Sequence, residues 1–87
     1  MSYASFSRTN TIYMHLVDGL KTGKTPSEII DLISGINKYD TLTKYHWGKL
    51  IEFVKYPRDE YKHLLKKKTS RELIRLAKEK QKAALIS

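Results

Sequence analysis

The chain has 87 residues, enough for one domain with a single modest core, and its 40% hydrophobic and 30% charged side chains are typical of globular proteins. Its formal net charge is +8, and all of this excess lies in residues 44–87, which carry thirteen basic and five acidic side chains against four of each in residues 1–43. Cysteine is absent, which excludes disulfides and thiolate chemistry, and no apolar run reaches the roughly 18 residues that cross a bilayer.

The first predicted helix covers residues 10–21, where Ile12, Leu16 and Leu20 recur at helical spacing, with Thr9 or Asn10 as its cap. The segment 19–25, which reads GLKTGKT, has the composition of a phosphate-binding loop. However, its spacing is one residue short, and it follows a helical pattern where such loops follow a strand. We therefore interpret this segment as the connection to the next helix.

The second predicted helix covers residues 26–34 and has the clearest start signal in the chain. Thr25 as N-cap, Pro26 at the first helical position and Glu28 three residues after the cap form a capping box. Its predicted apolar face consists of Ile29, Ile30, Leu32 and Ile33. Gly35 is expected to end this helix in the left-handed conformation that glycine adopts without strain.

A third helix is predicted after a turn at Asn37, Lys38 and Tyr39, with Asp40 or Thr41 as its cap, and it ends before Pro57. Its predicted apolar side comprises Leu42, His46, Leu50, Phe53 and Val54, with Trp47 at its edge. We expect His46 at the boundary of the core. The outward side would then carry Thr41, Lys44, Gly48, Glu52 and Lys55.

Two more helices are predicted in the C-terminal third. The fourth begins at Pro57 and buries Tyr61, Leu64 and Leu65, with Lys66, Lys67 and Lys68 near its C-terminal end. The fifth is capped by Thr69 or Ser70, covers about residues 69–85, and buries Leu73, Leu76, Ala77 and Ala84. A short β-hairpin wing around Tyr56–Asp59 is the alternative to the fourth helix start. The predicted fold is thus one all-α domain over residues 1–87, a compact bundle of four to five short helices.

Catalytic chemistry is not indicated by the sequence. The three histidines, His15, His46 and His63, lack the spacing of metal ligands, and Asp59 and Glu60 are neighbours that point to different sides of a helix. We therefore expect no enzyme activity, no metal or other cofactor, and no small-molecule substrate.

Residues 25–55 contain a short helix, a glycine-containing turn and a second helix. The positions that carry this pattern are Ile30, Ser34, Gly35, Ile36, Asn37, Thr41, Leu42 and Lys44. The stretch resembles helix-turn-helix DNA-binding domains, in which the second helix enters the major groove of DNA. It departs from them by one extra residue in the turn and by a large isoleucine where the first helix usually has alanine.

The resemblance implies roles for individual side chains. Base contacts are expected from Thr41, Lys44, Tyr45 and Gly48, near the N-terminus of the third helix, with Lys44 as the first choice. Phosphate contacts are expected from Asn37, Lys38, Lys49, Lys55, Arg58, Lys66, Lys67 and Lys68. A glycine at position 48 would allow close approach to a groove wall, or it is simply tolerated there.

The sequence therefore predicts a nucleic-acid-binding protein, and within that class a small transcriptional regulator that binds duplex DNA as a homodimer through about Leu73–Ile86. One alternative is a protein-interaction module, such as an inhibitor or assembly subunit, that docks through its basic C-terminal helix. Another is an RNA-binding protein in which Tyr39, Tyr45 and Tyr56 stack on unpaired bases. In each case we expect an intracellular, cytoplasmic protein, in the nucleoid or nucleus if it binds DNA, with no membrane partner.

Overall fold

Five α-helices make up the part of the chain that the computed structural model describes, which is residues 3–35 and 42–84, with side chains described for 8–35 and 42–84. In chain order the helices are α1 (Tyr3–Lys21), α2 (Pro26–Ser34), α3 (Lys44–Lys55), α4 (Asp59–Lys62) and α5 (Lys67–Ala83). No strand occurs in these residues, so the predicted all-α class is confirmed and the β-hairpin wing at Tyr56–Asp59 is wrong.

Helix α1 begins seven residues earlier than predicted, because Thr9 and Asn10 lie inside it and do not cap it. Helix α2 has its predicted bounds. The Thr25 hydroxyl accepts a hydrogen bond from the Glu28 amide (3.2 Å), and the Glu28 carboxylate accepts one from the Thr25 amide (2.8 Å). These hydrogen bonds to Thr25 lower the pKa of Glu28. The predicted capping box is therefore confirmed.

The left-handed conformation predicted at Gly35 is wrong. Gly35 has φ −90° and ψ 4°, and its amide donates to the carbonyls of Asp31 (3.1 Å) and Leu32 (3.2 Å). The positive φ in the described part of the chain belongs to Gly23 (76°), in the turn between α1 and α2. A tightened last turn thus satisfies the free carbonyls of α2 without a left-handed residue.

Helix α3 is capped by Thr43, so the prediction of Asp40 or Thr41 as the cap is wrong; both of those residues lie outside the described part of the chain. The Thr43 hydroxyl accepts from the His46 amide (3.4 Å), and the Thr43 amide donates to His46 Nδ1 (3.1 Å). The imidazole thus takes the place that glutamate or glutamine has in the usual capping box. His46 and Trp47 are both 4% exposed, so neither lies at the edge of the core as predicted.

The C-terminal helices begin at other residues than predicted. Helix α4 is a single turn that starts at Asp59, two residues after Pro57. Helix α5 starts at Lys67, with Lys66 at the N-cap position, so neither Thr69 nor Ser70 caps it. Lys66, Lys67 and Lys68 therefore stand at the N-terminus of α5 and not at the C-terminal end of the fourth helix.

The core lies between α1, α3 and α5, and α2 packs against α1 and α5. Its fully buried side chains include Ile12, Leu16, Ile29, Ile33, Leu50, Tyr61 and Leu73. Tyr61 joins α4 to this core, since its hydroxyl donates to the Phe53 carbonyl over 2.6 Å. That carbonyl would otherwise face the nitrogen of Pro57, which carries no hydrogen, so the tyrosine completes the end of α3.

Candidate nucleic-acid interface

Helices α2 and α3, which the helix-turn-helix resemblance pairs, pack on different neighbours. Helix α2 packs against α1 and α5, whereas α3 packs along α5 and also contacts α1. Both helices are fully described, and their backbones do not approach each other closely. Nine residues, 35–43, connect them, where the motif has a short turn. The two helices therefore do not form the directly packed pair of that motif, and the resemblance stays a prediction that their packing does not support.

Lys44, the first choice for a base contact, is bound within the fold. Its ammonium group donates to the carbonyl of Gln81 (2.9 Å) and lies 3.4 Å from that of Lys82, at the C-terminal end of α5. The Gln81 side-chain amide donates in return to the Lys44 carbonyl (3.1 Å). A cation at this position satisfies free carbonyls at the negative end of the helix dipole. Reading a base would require Lys44 to give up these contacts.

Gly48 also lies beside α5. A β-carbon at this position would lie 3.2 Å from the side-chain nitrogen of Gln81. The small residue at position 48 therefore has a reason within the fold, which is the close approach of α5, and it needs no groove wall to explain it.

The exposed face of α3 is narrow. Tyr45 is 55% exposed, and Tyr56, which caps the helix, is 76% exposed. Between them, Lys49 is half-buried, lies 5.8 Å from the centre of the Phe53 ring, and pairs with Glu52 over 3.5 Å. The side of α3 toward solvent thus carries Tyr45, the ion pair of Lys49 and Glu52, and the exposed Lys55, and Tyr56 directly follows the helix.

The other predicted phosphate contacts lie on several elements of the chain. Asn37 and Lys38, together with the predicted base contact Thr41, lie outside the described residues. Lys55, Arg58, Lys66, Lys67 and Lys68 are exposed. The Arg58 guanidinium lies over the Tyr13 ring, 4.8 Å from its centre, which holds this cation on the side of α1.

The basic side chains of α5 are aligned. At about 100° per residue, five of them follow one another along the side of the helix opposite the buried Leu73 and Ala77, and the exposed Lys68 lies on the same side next to them. We call this exposed row the basic ridge, and it consists of Lys67, Arg71, Arg75, Lys78 and Lys82. At about 1.5 Å per residue it extends about 22 Å.

The two acidic side chains of α5 are both engaged by one member of the ridge. Arg75 binds Glu72 (2.6 Å) and Glu79 (2.8 Å), and its hydrogen bonds lower the pKa of Glu72. Within the described residues, the other four ridge cations form no ion pair. Their charges are therefore available to an external anion, while Arg75 offsets the acids beside them.

Sequence reasoning named only Lys67 of this ridge as a site residue. The signal was present, because the other ridge residues follow Lys67 by 4, 8, 11 and 15 positions, which is the spacing of one helical face. The helix-turn-helix pattern directed attention to α3 instead.

The ridge and the exposed face of α3 lie on the same side of the molecule. Lys44 at the start of α3 meets the end of α5, and the two helices pack along each other, so they run antiparallel. Both rest on the core, through Leu50 and Leu73. Around each helix axis, one side faces the core, the next side contacts the other helix, and the side after that faces solvent. Tyr45 on α3 and the basic ridge on α5 both lie on this third side, so they share one outer surface.

Comparison of the chain with protein-family models, curated proteins and solved structures finds no match. In the part of the chain that is described, no helix is long and apolar enough to span a membrane. Nor do the described histidine, aspartate and glutamate side chains form a group that could hold a metal ion. The geometry and charge of the surface formed by α3 and α5 are therefore the features that indicate a function.

Proposed function

We propose that the protein binds nucleic acid and that the basic ridge of α5 is its phosphate-binding surface. The observation that carries this proposal is the row of five exposed cations on one face of one helix, with the neighbouring carboxylates held by Arg75. A polyanion that lies along such a row releases its condensed counterions, which favours binding irrespective of its base sequence.

The ridge is well suited to this role because its backbone is fixed before any ligand binds. Leu73 and Ala77, on the opposite side of α5, are fully buried, and Lys44 binds the last carbonyls of the helix. Binding then costs the ordering of side chains but not the folding of a segment. A row about 22 Å long spans about six stacked nucleotides at about 3.4 Å each.

Burial of the same apolar side chains argues against the predicted homodimer through Leu73–Ile86 and against docking of α5 to a protein through its apolar side. Leu73 and Ala77 already pack in the core, and Leu76 is half-buried. Ile86 lies outside the described residues. An apolar contact through this side of α5 would require α5 to leave the core, which disfavours both alternatives. The ridge itself would remain free for an acidic protein partner.

The test is fluorescence anisotropy of labelled oligonucleotides titrated with protein over a range of salt concentrations. One variant, Arg71→Gln with Lys78→Gln, removes two ridge charges. The control, Lys21→Gln with Lys24→Gln, removes two exposed charges at the end of α1 and in the turn that follows. We expect the ridge variant to bind more weakly and to lower the slope of log affinity against log salt by about two, while the control behaves as the parent protein.

Two outcomes would refute the proposal. If the parent protein binds no oligonucleotide at moderate salt, the ridge is not a nucleic-acid site. If the two double variants lose affinity equally, the attraction comes from net charge and not from the ridge. Tight binding of an acidic protein together with weak, variant-independent binding of oligonucleotides would favour the protein-interaction alternative.

A further inference from the structure

Two tyrosines are the most exposed aromatic side chains in the described part of the chain. Tyr45 is 55% exposed and Tyr56 is 76% exposed, although a large ring in a small domain ordinarily contributes to the core. Tyr13 and Tyr61, by contrast, pack edge to face at 5.6 Å within it. The two exposed rings therefore contribute little to the core.

The two exposed tyrosines lie at opposite ends of α3. Tyr45 is in its first turn and Tyr56 directly follows its last residue, so their backbones are about 16 Å apart along the helix. Because α3 runs antiparallel to α5, Tyr45 lies toward the end of the ridge at Lys82, and Tyr56 lies toward its beginning at Lys67. A row of cations is thus accompanied along its length by an aromatic ring near each end.

This arrangement distinguishes between two forms of nucleic acid. The bases of a duplex are stacked on each other and paired, so a protein ring beside the backbone finds no free base to stack on. The bases of a single strand offer their faces, and stacking on aromatic side chains next to a basic track is the usual way in which such strands are bound.

We propose that the ligand of the basic ridge is single-stranded nucleic acid, with its phosphates on α5 and unpaired bases stacked on Tyr45 and Tyr56. This inference rests on the proposed function and names its substrate class. The rings are about five stacked nucleotides apart, so each takes a separate base of one strand. Lys49, between them, is paired with Glu52, whereas the exposed Lys55 can contact a phosphate beside the bases that stack on the rings.

The experiment compares three labelled probes, the single strands dT12 and rU12 and a 12-base-pair DNA duplex, at one salt concentration. The variants are Tyr45→Leu and Tyr56→Leu, which keep an apolar side chain but remove the ring. Tyr45→Phe and Tyr56→Phe, which keep the ring, are the matched controls. Both positions lie at the surface, and circular dichroism checks that the helix content of all four variants is unchanged.

We expect the parent protein to bind at least one single strand more tightly than the duplex. Each leucine variant should lose roughly five- to a hundredfold in affinity for that strand, with little change for the duplex. Each phenylalanine variant should bind as the parent does. The comparison of dT12 with rU12 identifies DNA or RNA as the preferred strand.

The failures of the two proposals are distinguishable. Binding that depends on Arg71 and Lys78 but is unaffected by the leucine variants, or that is tighter for the duplex, would overturn the single-strand inference and leave the ridge intact. Absence of binding to all three probes would overturn both.

Discussion

Replacement of Gly19 by alanine tests the packing of α1 against α2, because two effects of known size oppose each other there. Gly19 is buried in the last turn and a half of α1. In an exposed helix, glycine to alanine stabilises by about 0.5–1 kcal/mol, since the more flexible glycine loses more entropy on folding. Here a β-carbon would lie 2.6 Å from Cγ1 of Ile29, closer than van der Waals contact allows.

The steric term is the larger one. Ile29 is fully buried, and Cγ1 is held close to its backbone, so the side chain cannot move away as a flexible end could. An extra carbon in a well-packed core costs about 1–3 kcal/mol. After subtraction of the gain in helix propensity, we expect Gly19→Ala to lower the free energy of unfolding by about 1–2 kcal/mol.

Gly48→Ala is the matched control. Gly48 also lies inside a helix, but a β-carbon there would meet only the side-chain nitrogen of Gln81, at 3.2 Å, and a shift of a few tenths of an ångström in its hydrogen bond to the Lys44 carbonyl relieves that contact. The gain in helix propensity should then dominate, so we expect a change between zero and a stabilisation of about 1 kcal/mol. Nucleic-acid affinity should not change, whereas a glycine needed against a groove wall would make this variant bind more weakly.

Urea denaturation followed by circular dichroism and by the fluorescence of the buried Trp47 measures both variants. For a small domain the slope is at least about 1 kcal/mol per molar urea, so the expected loss in Gly19→Ala moves the midpoint down by up to about 1–2 M. If both substitutions change the free energy of unfolding in the same direction, or if Gly19→Ala is more stable than the parent protein, the proposed packing of α1 against α2 is refuted.

Three further predictions follow from particular contacts. Tyr61→Phe should lower the free energy of unfolding by about 1–2 kcal/mol in urea denaturation, because the Phe53 carbonyl loses its donor; no change would show that solvent satisfies it. Lys67→Glu should raise the melting temperature, because it places a carboxylate at the positive end of the α5 dipole, and should weaken oligonucleotide binding; a lower melting temperature would contradict this. Burial, together with the charge of Arg8, lowers the pKa of His46 below its usual 6.5. The contribution of His46 to the free energy of unfolding should therefore be complete above about pH 6.5 and should decrease as the pH falls toward the lowered pKa. His46→Gln should reduce this dependence in urea denaturation at pH 5 and pH 7.5, and His63→Gln should not.

Local signals in the sequence were sufficient to predict the fold class and the bounds of α2. The capping box at Thr25 and Glu28 depends on residues three positions apart, so it can be recognised without any knowledge of the tertiary structure. The start of α3 was missed because His46, and not glutamate or glutamine, completes its cap. The start of α5 was predicted too late because Lys66, and not Thr69 or Ser70, stands at its N-cap position.

The sequence by itself determined that the chain is helical, that its net positive charge lies in its second half, and that its apolar residues form stripes for one core, since these follow from composition and short-range spacing. Only the tertiary structure decided which basic residues stay exposed and which are bound within the fold. Lys44 and Gln81 are 37 residues apart in the chain, and their contact withdraws Lys44 from the surface while α5 displays its ridge. Such a pairing depends on how α3 and α5 pack together on the core, so it cannot be predicted from the spacing of residues within either helix.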